Sequence, residues 1–140
     1  MRFICEKDVT MFKNVVLIPT YNESESILTL IHQLKRLDVD IIVIDDDSPD
    51  GTSDLVKNLD SDRVKIINHG SKNGIGPAYL SGMNQAITAG YEKIVTMDAD
   101  CTYPAELVPK LVKRLLDENL EYITCDRLSL AEDGSFSGLH

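Results

Sequence analysis

Asp98 and Asp100 close the stretch Ile94-Val-Thr-Met-Asp-Ala-Asp100, where an apolar run breaks off into two carboxylates. Like charges about 4 Å apart repel by about 4 kcal/mol at an effective dielectric near 20. A hard divalent cation with oxygen ligands turns that repulsion into attraction, so the pair reads as a metal site. The i, i+2 spacing sets both side chains on one face while the backbone stays extended. If the backbone turns instead, Asp98 reaches a ribose, or the ion indirectly, and Asp100 ligates directly. A strand-end Asp can also cap the next helix. Pro104 places that helix start several residues further on, as a first helical position, which leaves the pair to a cation.

A second acidic group, Asp45, Asp46, Asp47 and Asp50, also follows an apolar run, Ile41-Ile-Val-Ile44. Ser48-Pro-Asp-Gly51 is good turn chemistry, and Asp50 is placed to cap a following helix. The same carboxylates could face the N–H groups of a nucleobase or ribose hydroxyls. The loop His69-Gly-Ser-Lys-Asn-Gly-Ile-Gly76 has glycines before a helix and could offer backbone N–H groups to a phosphate. It lacks the Lys-Ser/Thr ending of a phosphate loop. His69 reads as a loop residue and His32 as a helix-surface one. No Ser/His/Asp or Cys/His nucleophile arrangement is legible.

The elements that must carry these residues follow from the apolar pattern. Val15–Ile18, Ile41–Ile44, Val64–Ile67 and Ile94–Thr96 read as buried strands, and Tyr122–Cys125 as a weaker fifth. Helical spacing of Ile27, Leu30, Ile31, Leu34 and Leu37 predicts a first helix, with Asn22 and Glu25 as a capping box. Further helices are expected over 52–59, over 77–89 with Gly90 as stop, and beyond Pro104 on the stripe Leu107, Val108, Leu111, Val112 and Leu115. Strands alternating with helices predict a parallel sheet covered on both faces. Ligands bind outside the C-terminal strand ends of such sheets, where the acidic groups lie.

The bulk properties exclude several classes. The chain has 140 residues, a net charge of −9 and 43% hydrophobic residues. Such acidity argues against a nucleic-acid groove and gives no attraction to anionic lipid. No apolar run is long enough to cross a bilayer, and the N-terminus lacks a signal-peptide core. Cys5, Cys101 and Cys125 read as free thiols in a reducing, cytoplasmic setting. Residues 1–12 and 128–140 are expected to be tails around one domain spanning 13–127.

Four motifs in order, Pro19-Thr-Tyr-Asn-Glu23, Val43-Ile-Asp-Asp-Asp-Ser-Pro-Asp-Gly-Thr52, Asn73-Gly-Ile-Gly76 with Ala78 and Gly82, and Met97-Asp-Ala-Asp100, resemble the family 2 glycosyltransferases, in particular the dolichyl-phosphate mannosyltransferase branch. The resemblance implies a GT-A fold: a Rossmann-like, three-layer αβα arrangement on a mainly parallel sheet, here its N-terminal nucleotide-binding part. It implies a GDP- or UDP-sugar donor, Mn²⁺ or Mg²⁺, and a polyprenyl or dolichyl phosphate acceptor at a membrane surface. By the same likeness Pro19, Tyr21 and Glu23 line the base and ribose pocket, and Asp46 accepts from the base with Asp45 beside it. Gly74 and Gly76 belong to the nucleotide loop. Asp98 and Asp100 match the Asp-x-Asp motif that holds the metal, and Arg127 falls where relatives face the phosphates or acceptor. Thr102 stands where relatives often carry a longer polar ligand, and Thr124-Cys-Asp replaces the small-residue lead into the arginine. The acceptor-binding half of the family is not legible in the chain. The sequence therefore leaves a rival open: a nucleotide-binding module of the same fold without turnover. A homodimer or a separate membrane subunit is the expected partner.

Overall fold

The computed structural model describes residues 13–125, which fall into two compact units that part between Ala105 and Glu106. In the first unit the order is β1 (Asn14–Thr20), α1 (Ile27–Leu34), β2 (Asp40–Asp45), α2 (Thr52–Lys57), β3 (Val64–Asn68), α3 (Ile75–Ala89) and β4 (Lys93–Thr96). The strands form one all-parallel sheet in the order β3-β2-β1-β4. Parallel strands flanked by helices bury both faces, which is why their sequences show no polar alternation. Ile41, Ile42, Val43 and Ile44 are all fully buried, each contributing roughly 1.5–3 kcal/mol.

The two sheet faces have different covers. Val15, Leu17, Ile42 and Ile44 share one face with Ala78 and Ala86 of α3. Small residues let this helix lie close. A Cβ built on Gly82 would come within 2.8 Å of Ile44 Cδ1 and 3.2 Å of Leu17 Cδ1. Val16, Ile18, Ile41 and Val43 point the other way and are equally buried. The apolar faces of α1 (Ile27, Leu30, Ile31, Leu34) and α2 (Val56) complete the three-layer α/β architecture expected from the alternating pattern. Tyr91 ties the connection between α3 and β4 to the start of β2: its hydroxyl donates to Asp40 Oδ2 at 2.8 Å. Burial and that carboxylate hold the phenol well above its ordinary pKa.

Several local expectations are corrected. Asn22 is not a helix cap. It sits at φ +60°, and its backbone N–H donates to Ser48 Oγ at 3.0 Å. The N-cap of α1 is Ser26, whose hydroxyl donates to Glu23 Oε2 at 2.8 Å. α3 begins two residues before Pro77, because a proline in the first helical turn removes an N–H that has no partner there.

In the second unit α4 spans Leu107–Asp117, so Pro104 precedes the helix and is not its first residue. Ion pairs Lys113–Asp117 and Arg114–Glu118 line its exposed side. Tyr122–Thr124 form no strand and Cys125 makes only an isolated bridge, so among the described residues the fifth strand is absent. Tyr122 is 80% exposed, and the two β-branched residues after it are too short a run to bury. Cys101 and Cys125 are free thiols. Cys5, both expected tails and Arg127 lie outside the described residues. No described helix is long and apolar enough to cross a membrane.

Candidate functional site

β1 is the switch point of the sheet: the chain moves from β1 to β2 on one side and later returns to place β4 on the other. The crevice beyond the C-terminal ends of such strands is where ligands bind. Here it is a cleft of about 370 Å³. The end of β1 supplies Pro19, Thr20, Tyr21 and Glu23, and the end of β2 supplies Asp46. The loop into α3 gives Lys72, Gly74, Ile75 and Ala78, and the end of β4 gives Asp98, Ala99 and Asp100. The structure thus brings seven of the expected residues together: Pro19, Tyr21, Glu23, Asp46, Gly74, Asp98 and Asp100. Gly76, the second residue of α3, does not line the cleft.

The carboxylates of the 45–50 turn divide by role. Asp45 is fully buried and does not line the cleft. It accepts from Thr20 Oγ1 at 3.0 Å, Ser48 Oγ at 2.6 Å and Ser48 N at 3.0 Å. It therefore pins the turn to the tip of β1 instead of standing beside Asp46 in the pocket. Asp50 binds the entry to α2 and the loop after β1. Oδ1 accepts from Thr52 N at 3.0 Å and from its hydroxyl, and Oδ2 accepts from Ser24 N at 2.9 Å. Burial would raise its pKa, but these hydrogen bonds hold it well below the usual carboxylate range. Asp47 is exposed at φ +64°.

Asp46 faces the glycine-bearing loop. Its oxygens accept from Asn73 N at 2.9 Å and Gly74 N at 2.7 Å, with His69 Nδ1 at 3.3 Å from Oδ1. Burial pushes its pKa up, and the two amides and His69 more than offset this, leaving it below the ordinary value. The loop thus spends the amides of Asn73 and Gly74 on a carboxylate of the protein itself, not on a phosphate. Gly74 has φ +93°, a region that glycine enters without strain.

After β4 the backbone turns at Ala99 and Asp100, so the extended geometry that would set Asp98 and Asp100 on one face is not kept. Asp100 is exposed, and its Oδ1 accepts from Thr102 N at 2.9 Å. Cys101 follows at φ +59°, with its thiol 3.8 Å from Ser26 O. Burial first, then the charges of Asp100 and Glu23, push that thiol's pKa up. Negative charge therefore converges on this end of the cleft. Among the described residues no three His, Cys, Asp or Glu side chains form a metal cage. Two carboxylates facing an open cleft suit Mg²⁺ or Mn²⁺, which commonly take one or two protein oxygens and complete their shell with phosphates and water.

Sequence reasoning gave Thr20 no role of its own and missed Lys72. Thr20 looks like one more strand residue, and only its pairing with Asp45 reveals its place. Lys72 Nζ lies 3.7 Å from the centre of the Tyr21 ring, at the mouth of the cleft. Its signal in the sequence is a lone cation beside the loop glycines. Asn22, Asp47 and Cys101 all take positive φ in the segments around the cleft, where roughly 1–2 kcal/mol each is stored.

Comparisons with known proteins give the family and the fold. Residues 15–138 match the model of glycosyl transferase family 2. The chain is 40% identical over 110 residues to the polyprenol monophosphomannose synthase of Mycolicibacterium smegmatis, covering 75% of this chain and 40% of that protein. It is 34% identical over 110 residues to the undecaprenyl-phosphate mannosyltransferase of Micrococcus luteus, covering 76% and 45%. Identity to the dolichol-phosphate mannosyltransferase of Pyrococcus furiosus is 37% over 105 residues, covering 71% and 29%. The chain thus spans less than half the length of each of these relatives. A crystal structure of a candidate nucleotide-diphospho-sugar transferase from Desulfovibrio desulfuricans shares the fold. Its TM-score is 0.59 at 17% identity, over 76% of this chain and 55% of that one.

Proposed function

The chain belongs to glycosyl transferase family 2, and on that premise we propose that its cleft takes a nucleoside-diphosphate sugar and serves transfer of the sugar to a polyprenyl phosphate. The observation that carries the proposal is the convergence of Asp98 and Asp100 with Pro19, Tyr21, Glu23 and Asp46 at the sheet's switch point. The mannosyl relatives favour mannose over glucose as the sugar and a lipid phosphate as the acceptor.

In the proposed reaction an acceptor phosphate oxygen attacks the anomeric carbon of the sugar. The bond from that carbon to the donor diphosphate breaks, and the electron pair leaves with the nucleoside diphosphate. An acceptor phosphate is already anionic, so no general base is required of the protein. Asp98 and Asp100 would hold a divalent cation, which would neutralise charge on the leaving group. The Thr102 amide fixes the orientation of Asp100. Tyr21 and Pro19 offer apolar surface to the base, and Glu23 offers acceptors to ribose hydroxyls. Arg127 keeps its proposed place near the phosphates or acceptor. The 13–127 span is proposed as the functional domain.

The test is incubation with GDP-mannose or UDP-glucose, Mn²⁺ and a polyprenyl phosphate. Sugar transferred to the lipid supports the proposal. Binding of the nucleotide without transfer to any acceptor reduces it to a nucleotide-binding module. Exposed Leu80, Met83 and Ile87 on α3 supply an apolar strip for the proposed partner, a second copy or a separate membrane subunit. A monomeric profile by light scattering at high concentration counts against the second copy.

A further inference from the structure

We infer that Lys72 is a donor-binding residue whose ammonium group pairs with the diphosphate of the incoming nucleotide. The inference rests on the donor reading above. A diphosphate is an odd guest for this cleft: Glu23, Asp46, Asp98 and Asp100 all line it. Among the described residues that line it, Lys72 supplies the positive charge.

The surroundings of Lys72 leave its ammonium group available. It stands 3.7 Å from the centre of the Tyr21 ring. A cation over an exposed phenol ring is held far more weakly than an ammonium paired with a phosphate. Tyr21 therefore parks the group at the cleft without competing for it. The backbone beside it is fixed. The next two residues, Asn73 and Gly74, both donate their amides to Asp46 at the tip of β2, at 2.9 and 2.7 Å. The anchored loop delivers the root of the side chain, and four flexible methylenes deliver its charge. A compact ammonium suits a cluster of phosphate oxygens whose exact position varies with the nucleotide.

A purely structural role, as a cover for Tyr21, makes a different prediction. Methionine keeps most of the apolar stem and loses only the charge. The experiment is calorimetry on the wild type, Lys72→Met and Lys72→Arg with GDP, UDP, guanosine and uridine, in the presence of Mn²⁺. For whichever base binds, Lys72→Met is expected to weaken the diphosphate about tenfold and leave the nucleoside unchanged, and Lys72→Arg to retain most of the affinity. The diphosphate affinity of the wild type should also fall more steeply with added salt than that of Lys72→Met. Equal diphosphate affinity in wild type and Lys72→Met overturns the inference while the donor reading stands. So does an equal loss for nucleoside and diphosphate. Failure of the wild type to bind either diphosphate overturns the donor reading itself.

Discussion

Asp46→Asn probes how the cleft is held in shape. The buried carboxylate accepts from Asn73 N at both oxygens, from Gly74 N at 2.7 Å and from His69 Nδ1 at 3.3 Å. Asparagine keeps one oxygen and turns the other position into an NH₂ donor. In either orientation that donor faces a loop N–H. With its oxygen at the Oδ2 position both amides keep an acceptor but the new NH₂ is pressed against Asn73 N and the His69 ring, and with the amide flipped Gly74 N loses its acceptor. Either costs about 1–3 kcal/mol, and the remaining bonds lose their charge assistance. The sum is a loss of about 2–3 kcal/mol. With a urea m-value of roughly 1–2 kcal/mol/M, the midpoint falls by about 1–2 M. The pH dependence has a definite sign. The folded-state pKa of Asp46 is lowered, so its contribution is complete above the unfolded value of about 3.9 and is lost as pH falls through the folded value. The stability gap between wild type and variant is therefore present above the unfolded value and narrows in acid below it. Hydrogen exchange at Gly74 should quicken in the variant. An unchanged midpoint at neutral pH, or a gap that widens as pH falls below the unfolded carboxylate value, would refute the latch.

Three other substitutions test the frame around the site. Gly82→Ala should lower the melting temperature, because its methyl group meets Ile44 Cδ1 at 2.8 Å inside a filled core. Overpacking costs about 1–3 kcal/mol, which exceeds the roughly 0.5–1 kcal/mol that alanine gains in a helix. Gly76→Ala, with no atom within 4 Å of its new methyl, should be neutral or stabilising in the same melting assay. Tyr91→Phe removes the 2.8 Å bond to Asp40 and should cost about 1–3 kcal/mol in urea unfolding, with nucleotide affinity unchanged. A loss of affinity equal to the loss of stability would mean that the cleft and the Tyr91 anchor are not independent.

Much of this fold could be read from residue types, because a fully buried parallel strand announces itself as an unbroken β-branched run. The four apolar runs became the four strands, though only β1 and β2 are largely buried and the outer strands β3 and β4 are half-buried, with Asp98 and Asp100 past the tip of β4 and the acidic turn past the tip of β2. The first-helix cap was misread, since Asn22 to Glu25 has the spacing of a capping box but a left-handed Asn22 spends its amide on Ser48. Tyr122–Cys125 has strand-like composition without the length to join the sheet. Within the acidic turn, composition makes Asp45, Asp46 and Asp50 look alike. Only the partners separate Asp45, which is consumed by Thr20 and Ser48, from Asp46, which reaches the cleft. Those partners are 25 to 28 residues away in the chain for the Thr20–Asp45 and Asp46–Gly74 pairs, and spacing within a motif carries no trace of them. Lys72 escaped notice for the same reason: its tie to Tyr21 exists only once the sheet brings two loops together.

The central claim is that the cleft beside Asp98 and Asp100 holds a divalent cation together with a nucleoside diphosphate. Crystals soaked with Mn²⁺ and GDP or UDP, measured for anomalous scattering from manganese, address it directly. The account predicts an anomalous peak at these two carboxylates bridged to diphosphate density, with the base against Tyr21. Well-ordered crystals showing water alone in the cleft, or the nucleotide seated elsewhere, would contradict it.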